Sequence, residues 1–279
     1  MSSGAIMHSG YVLVEGGRLY YEKAGTGDTV LVFIHGMGMD LRMWEEQFGL
    51  FSLRYTVIRY DVRGYGKSDM PGSEPYLHQG DLKLLLDQLE VKQAHFIGSS
   101  MGGAIALDFA LDYPGYVSSL ILSNSALHGY KPSYVDLELN AIYKRIETDV
   151  TERRLDSARA WWLTLPHFTQ ALRQERYTDA IQQMAQTYTF WHFAHRNPVI
   201  SPQVKAVDRL GELKKRCLVL TGELDLPDFI QIGQRLSLEI AHSVTYELAN
   251  VGHLANMERP DEFNRAVSCF LEGNGCNPQ

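Results

Sequence analysis

The stretch His95–Leu111, "HFIGSSMGGAIALDFAL", decides how this chain is read. An apolar run closes on Gly98-Ser99-Ser100-Met101-Gly102-Gly103, and an Ala- and Leu-rich segment follows. The pattern predicts a strand, a tight turn and a helix, with the turn matching G-x-S-x-G. A residue at the apex of such a turn takes a strained backbone conformation, and side chains two positions to either side would crowd it. Ser100 has glycine at both of those places, whereas Ser99 has Ile97 and Met101. Ser100 is therefore the candidate nucleophile. The helix beginning there points free N–H groups and the positive end of its dipole at any negative charge that forms beside it. Taken alone, the motif also describes a glycine-rich turn with an N-capping serine or a phosphate-binding loop, so its surroundings have to decide.

Outward from this turn, short apolar segments alternate with helical patterns. Residues 11–25 read as two strands joined at Gly16-Gly17. Residues 29–36, 55–64, 94–98, 117–126, 216–225 and 243–253 read as further strands, and 41–53, 81–91 and the terminal stretch from Pro260 as helices. Strands that are apolar almost throughout, separated by helices, predict an α/β fold with a mostly parallel central sheet flanked by helices. The segment 128–205 breaks the alternation. It is helical in pattern and crowded with aromatics, as in "AWWLTLPHF" and "TYTFWHFAH". We read it as a helical cap inserted over the strand C-termini, with 1–127 and 206–279 forming one core domain.

Composition narrows the function classes. The 279 residues are 45% hydrophobic and 21% charged, enough apolar material for a sizeable core. A formal net charge of −7 without any Lys/Arg run argues against nucleic acid or an anionic membrane as partner. Cys217, Cys269 and Cys276 are an odd number without metal-type spacing and read as reduced thiols. The first ten residues show neither a charged n-region nor an apolar h-region, and the longest apolar runs are far too short to span a bilayer. These features set the expectation of a cytoplasmic monomer or homodimer acting on a small molecule.

A serine hydroxyl needs a base within hydrogen-bond reach, itself oriented by a carboxylate. In this architecture the chain order is Ser, then Asp or Glu, then His. His253, in "ELANVGHLANMERP", follows the last strand and precedes the terminal helix, at the sheet edge where the Ser100 turn opens. His35 and His95 lie in or beside strand ends, and His192 and His195 have no third ligand at metal spacing. For the acid, "CLVLTGELD" offers Asp225 first, Glu223 second and the nearby Asp228 third; the preceding strand ends in Ser123-Asn124-Ser125, without a carboxylate. Two N–H donors should stabilise a developing oxyanion: that of Met101, directly after the nucleophile, and that of Met37 in the loop His35-Gly36-Met37-Gly38.

Together these residues resemble the α/β-hydrolase superfamily, specifically its capped group of esterases, enol-lactonases and meta-cleavage C–C hydrolases. The resemblance rests on "HGMG", "YDVRGYGKSD", "GSSMGGAIAL", "LVLTGELD" and "VGHLANMERPDEF", which occur in family order over nearly the whole chain. It implies a Ser100–Asp225–His253 triad, an oxyanion hole at Met37 and Met101, and acyl transfer without a metal or organic cofactor. Asp61, Arg63, Gly64, Gly66 and Ser68 match a turn that is structural in the family. Serine at position 100 departs from the epoxide hydrolase and haloalkane dehalogenase branches, which need aspartate there. "HGMGMD" departs from the "HGSGPG"-like loop usual in C–C hydrolases. The expectation is therefore an esterase or lactonase; the alternatives are a C–C hydrolase and a slow-turnover ligand receptor that retains the triad. Trp161, Trp162, Phe168 and Trp191 in the cap are the candidate substrate-binding residues for an uncharged, moderately hydrophobic ligand.

Overall fold

The computed structural model describes residues 7–132, 136–196, 198–200 and 202–273. The apolar runs become eight strands: β1 (His8–Val14), β2 (Gly17–Ala24), β3 (Val30–Ile34), β4 (Thr56–Tyr60), β5 (Ala94–Ser99), β6 (Val117–Ser123), β7 (Arg216–Gly222) and β8 (Ser243–Leu248). They form a single sheet in the order β1-β2-β4-β3-β5-β6-β7-β8. β1 and β2 pair antiparallel with each other, as do β2 and β4, and every remaining pairing is parallel. Around the sheet lie α1 (Glu45–Phe51), α2 (His78–Gln88), α3 (Met101–Asp112), α4 (Leu137–Thr151), α5 (Leu155–Leu163), α6 (Glu175–Thr187), α7 (Trp191–Ala194), α8 (Pro227–Glu239), α9 (Ala255–Glu258) and α10 (Pro260–Leu271).

The central strands are apolar on both sides because helices cover both faces, and β4 is buried at every position. Parallel register sets Ile34 beside Gly98, Ser99 beside Ser123, Ser123 beside Leu220 and Gly222 beside Leu248. The C-terminal ends of β3, β5, β6, β7 and β8 thus reach a common edge, where ligand sites of open parallel sheets form.

β3 covers only 30–34 of the expected 29–36, and four further strands are shorter than the apolar pattern predicts. β4, β6, β7 and β8 stop at Tyr60, Ser123, Gly222 and Leu248, and the residues beyond them turn out of the ladder. Asn124 and Asn250 take positive φ values of 45° and 58°, which end the extended conformation. The helical stretch 41–53 divides into a 3-10 turn, Leu41–Trp44, and α1, with the Asp40 side chain capping the turn through the Arg42 N–H at 3.0 Å. α2 runs three residues earlier than 81–91 at each end, and Glu90 at φ 57° lies just beyond its close.

Between β6 and β7 the chain forms α4 to α7 and short 3-10 turns. Their internal glue is aromatic. The buried Trp162 ring packs against Tyr188, Phe168, Phe190 and Phe193 at centroid separations of 5.3, 5.7, 5.9 and 6.2 Å. Among the described residues no helix is long and apolar enough to cross a membrane. Cys217 is buried in β7 and Cys269 lies in α10, while Cys276 falls outside the described residues.

Candidate active site

Ser100 is the last residue before α3 and has φ 53° and ψ −118°, a conformation that costs a non-glycine residue about 1–3 kcal/mol. The surrounding packing explains both flanking glycines. A Cβ on Gly98 would lie 2.3 Å from the Gly102 carbonyl oxygen, and one on Gly102 would lie 2.1 Å from that of Ile34. The turn is also tied down by its own backbone: the Ser100 N–H donates to Ser123 O at 3.1 Å, and Ser100 O accepts from the N–H groups of Gly103 and Ala126, each at 3.0 Å. Ser99 is wholly buried, and its hydroxyl has no hydrogen-bond partner.

His253 and Asp225 meet behind this turn. His253 Nδ1 lies 2.9 and 3.1 Å from the two carboxylate oxygens of Asp225, and both side chains are almost fully buried. A carboxylate can only accept, so Nδ1 carries the proton and Nε2 presents the lone pair of a base. Asp225 Oδ2 also accepts from Asn124 Nδ2 at 2.6 Å, and Oδ1 from the Leu226 N–H at 2.7 Å. Such convergent donors are what a carboxylate needs in a dry site. Glu223 instead faces solvent, accepting from the Asn250 N–H at 2.8 Å, and Asp228 sits in the first turn of α8. The loop carrying His253 is fixed from the other side by Glu258, which accepts from the Gly252 and Leu254 N–H groups at 2.6 and 3.0 Å. Burial raises the Glu258 carboxyl above its ordinary range.

The loop after β3 runs against Ser100, since a Cβ on Gly36 would come within 3.3 Å of Ser100 Cβ. A Met39 N–H to Gly36 O hydrogen bond of 3.2 Å closes this loop into a turn with Met37 and Gly38 at its tip. Gly38 takes φ 70°, and a Cβ there would penetrate the Trp162 ring at 2.1 Å. Met101 opens α3, where an N–H has no carbonyl one turn back to bond. Both residues chosen as oxyanion donors therefore border the space in front of Ser100.

That space is a cavity of about 230 Å³ lined by Ser100 and His253 together with Met37, Met101, Trp162, Phe168 and other apolar side chains. Among the described residues its lining contains no Lys, Arg, Asp or Glu. Trp161 and Trp191 are not among its lining residues. Trp161 is one helical step from Trp162, so its ring leaves the cavity side and takes the Arg145 guanidinium at 5.3 Å. Trp191 stacks on His195 with centroids 4.8 Å apart. His35 bonds Gly36 O and the Val62 N–H, His95 bonds Ser119, and His192 stacks on Tyr65, so each of these rings has a packing role.

Sequence reasoning passed over four residues. Asn124 lacks a carboxylate but donates to one, that of Asp225. Glu258 lay unremarked in "NMERP". His128, paired with the buried Asp108, and His167, whose ring is 4.9 Å from that of His253, both line the cavity. A lone histidine in an aromatic-rich segment gives no spacing signal; only the fold brings these two to Ser100.

Comparison with known proteins places the fold in a family. The chain is 29% identical over 266 residues to a 2-hydroxy-6-oxononadienedioate/2-hydroxy-6-oxononatrienedioate hydrolase of Escherichia coli (strain K12 / DH10B), covering 91% of each chain. It superposes on the enol-lactonase from Burkholderia xenovorans LB400 with TM-score 0.73 and 25% identity, over 94% of this chain and all of that one. The esterase RhEst1 from Rhodococcus sp. ECU1013 shares the fold with TM-score 0.80 at 22% identity, over 96% and 99% of the two chains. Residues 29–260 match the family described as alpha/beta hydrolase fold. A strand-edge serine, a parallel sheet with this strand order and a family match over most of the sequence converge: the chain belongs to the alpha/beta hydrolase fold family and is a hydrolase of that family.

Proposed function

We propose that the protein cleaves a carboxylic ester or lactone of an uncharged, moderately hydrophobic small molecule through an acyl-enzyme. Ser100 Oγ attacks the carbonyl carbon while His253 Nε2 takes its proton. Asp225 orients the imidazole and stabilises the imidazolium. The Met37 and Met101 N–H groups stabilise the oxyanion, each donor being worth about 3–4 kcal/mol in such sites. Collapse expels the alcohol, protonated by His253, and water, activated by the same imidazole, releases the acid. In this reading residues 128–205 act as a cap, and Trp162 and Phe168 face the substrate.

The observation that carries this reading is that Ser100 and an Asp225-held His253 border one largely apolar cavity whose lining, among the described residues, contains no Lys, Arg, Asp or Glu. The relative from Escherichia coli favours a second reading, C–C bond hydrolysis. That relative is named for a dioate substrate, and two carboxylates call for cationic partners, whereas the lining contains no Lys or Arg among the described residues. The ester or lactone is therefore preferred. Turnover of 4-nitrophenyl acyl esters and simple lactones by wild type and Ser100→Ala, beside a vinylogous 1,5-diketone, tests the choice. Ester or lactone cleavage that falls at least about 10³-fold in Ser100→Ala is expected. Efficient diketone cleavage with poor ester turnover would establish the C–C reading, and tight ligand binding with negligible turnover a receptor.

A further inference from the structure

His167 lies in a 3-10 turn, Pro166–Phe168, and its ring stands nearly perpendicular to that of His253, at 82° with centroids 4.9 Å apart. Phe229 packs edge-on against His253 at 4.3 Å and against His167 at 5.8 Å, so the three rings form one cluster. His167 Nδ1 is enclosed and has no hydrogen-bond partner. An enclosed N–H without an acceptor is more costly than an enclosed lone pair, so Nδ1 carries the lone pair and the ring proton sits on Nε2. No group of the described residues takes up that N–H, and the side chain lines the cavity in front of Ser100. Burial and the neighbouring His253 push the imidazole down to about 3. At neutral pH it therefore neither competes with His253 for the Ser100 proton nor opposes the His253 imidazolium with a second positive charge.

We infer that His167 is a further catalytic residue, whose Nε2–H donates a hydrogen bond to the leaving-group oxygen as the acyl C–O bond breaks. The inference rests on the ester or lactone reading above. In the step concerned, the Ser100 Oγ–acyl bond forms and the acyl–oxygen bond of the substrate breaks. The electron pair stays on the departing oxygen, and the proton taken from Ser100 passes from His253 to that oxygen. His167 transfers no proton. It stabilises charge that exists only while the bond is breaking, the kind of interaction that raises the rate of the chemical step.

Dependence on the leaving group tests this. Ethyl, phenyl and 4-nitrophenyl esters of one acid are compared by kcat/KM, which reports acylation, in wild type, His167→Phe and His167→Gln. A 4-nitrophenolate leaves with little help and an ethoxide needs it most. His167→Phe is expected to lose about 10- to 100-fold on the ethyl ester and under about threefold on the 4-nitrophenyl ester, the range of one hydrogen bond to a charged oxygen. His167→Gln, which keeps an N–H donor, should recover part of the ethyl ester loss. An equal fall on all three esters, or no fall on any, overturns the inference while leaving the Ser100 mechanism standing. Failure of wild type to hydrolyse all three esters and simple lactones alike overturns the reading beneath it as well.

Discussion

Asn124→Ala should separate the support of the triad from the triad itself. The Asn124 amide donates to Asp225 Oδ2 at 2.6 Å and to the Gly252 carbonyl at 3.2 Å, joining the acid to the loop that carries His253. Removing it takes one donor from a buried carboxylate, a loss of about 1.5–3 kcal/mol for a hydrogen bond to a charged group. If that energy is felt in the transition state, where His253 becomes an imidazolium resting on Asp225, kcat/KM falls about 10- to 150-fold. Asp225→Asn, which disables the pair outright, sets the ceiling at a loss of order 10⁴-fold. Asn124 also sits at φ 45°, a conformation asparagine tolerates and alanine resists at about 1–2 kcal/mol. Asn124→Gly removes that strain without restoring the amide. Steady-state kinetics on a 4-nitrophenyl ester and urea unfolding on both variants give the decision: stability recovers from Ala to Gly by about 1 kcal/mol, while activity stays low in both. Wild-type kcat/KM in Asn124→Gly would show that the 2.6 Å contact merely packs the loop, and the reasoning would fail.

Two further outcomes follow from burial and packing. Gly102→Ala drives a Cβ to 2.1 Å from the Ile34 carbonyl oxygen and 2.6 Å from its carbon; backbone on both sides cannot yield cheaply, so a loss of about 3 kcal/mol or more is expected, read as a depressed midpoint in urea. His78 has an enclosed Nδ1 without a partner, and burial pushes its imidazole down to about 3. Because its folded value lies below the unfolded one of about 6.5, its contribution is complete above pH 6.5 and is lost as pH falls towards 3; at pH 5 the loss is about 2 kcal/mol. His78→Phe should shrink the stability difference between pH 7 and pH 5 by about that amount, and an unchanged difference would refute the assignment.

Much of the fold was legible because its signals are local. Buried parallel strands announce themselves as unbroken apolar runs, and Gly98 and Gly102 mark the turn because any side chain there would strike backbone. The strand ends run past the ladder for an equally local reason: Asn124, Asp225 and His253 continue stretches of strand-like composition, while positive φ at Asn124 and Asn250 and the side-chain hydrogen bonds of Asn124, Asp225 and His253 take the chain out of the ladder. Asp225 stood ahead of Glu223 on position alone, and the structure adds the burial and three donors that Glu223 lacks. The cavity wall was only half legible. Helical patterning gathers Trp161 and Trp162 into one aromatic stretch, but which of them turns inward depends on how α5 lies over the loop at Gly38. His128 and His167 acquire meaning only through neighbours far away in the chain.

This division also bears on how far overall likeness can specify a reaction. Ser100, Asp225 and His253 sit on turns at one sheet edge, while part of the cavity wall comes from the segment between β6 and β7. The two sets can change independently, so nearly equal identity to a dioate hydrolase and to an enol-lactonase is what a shared edge with divergent walls would produce. Discrimination must then come from the wall. Moving an ionised carboxylate into an apolar cavity costs several kcal/mol per ion unless a cation meets it, and each 1.4 kcal/mol is a tenfold change in affinity. A lining rich in Met, Leu, Phe and Trp, without Lys or Arg among the described residues, should therefore disfavour a dianion more strongly than it distinguishes one neutral ester from another. On the proposed function, substrate charge, rather than the identity of the scissile bond, is the first property on which this site should select.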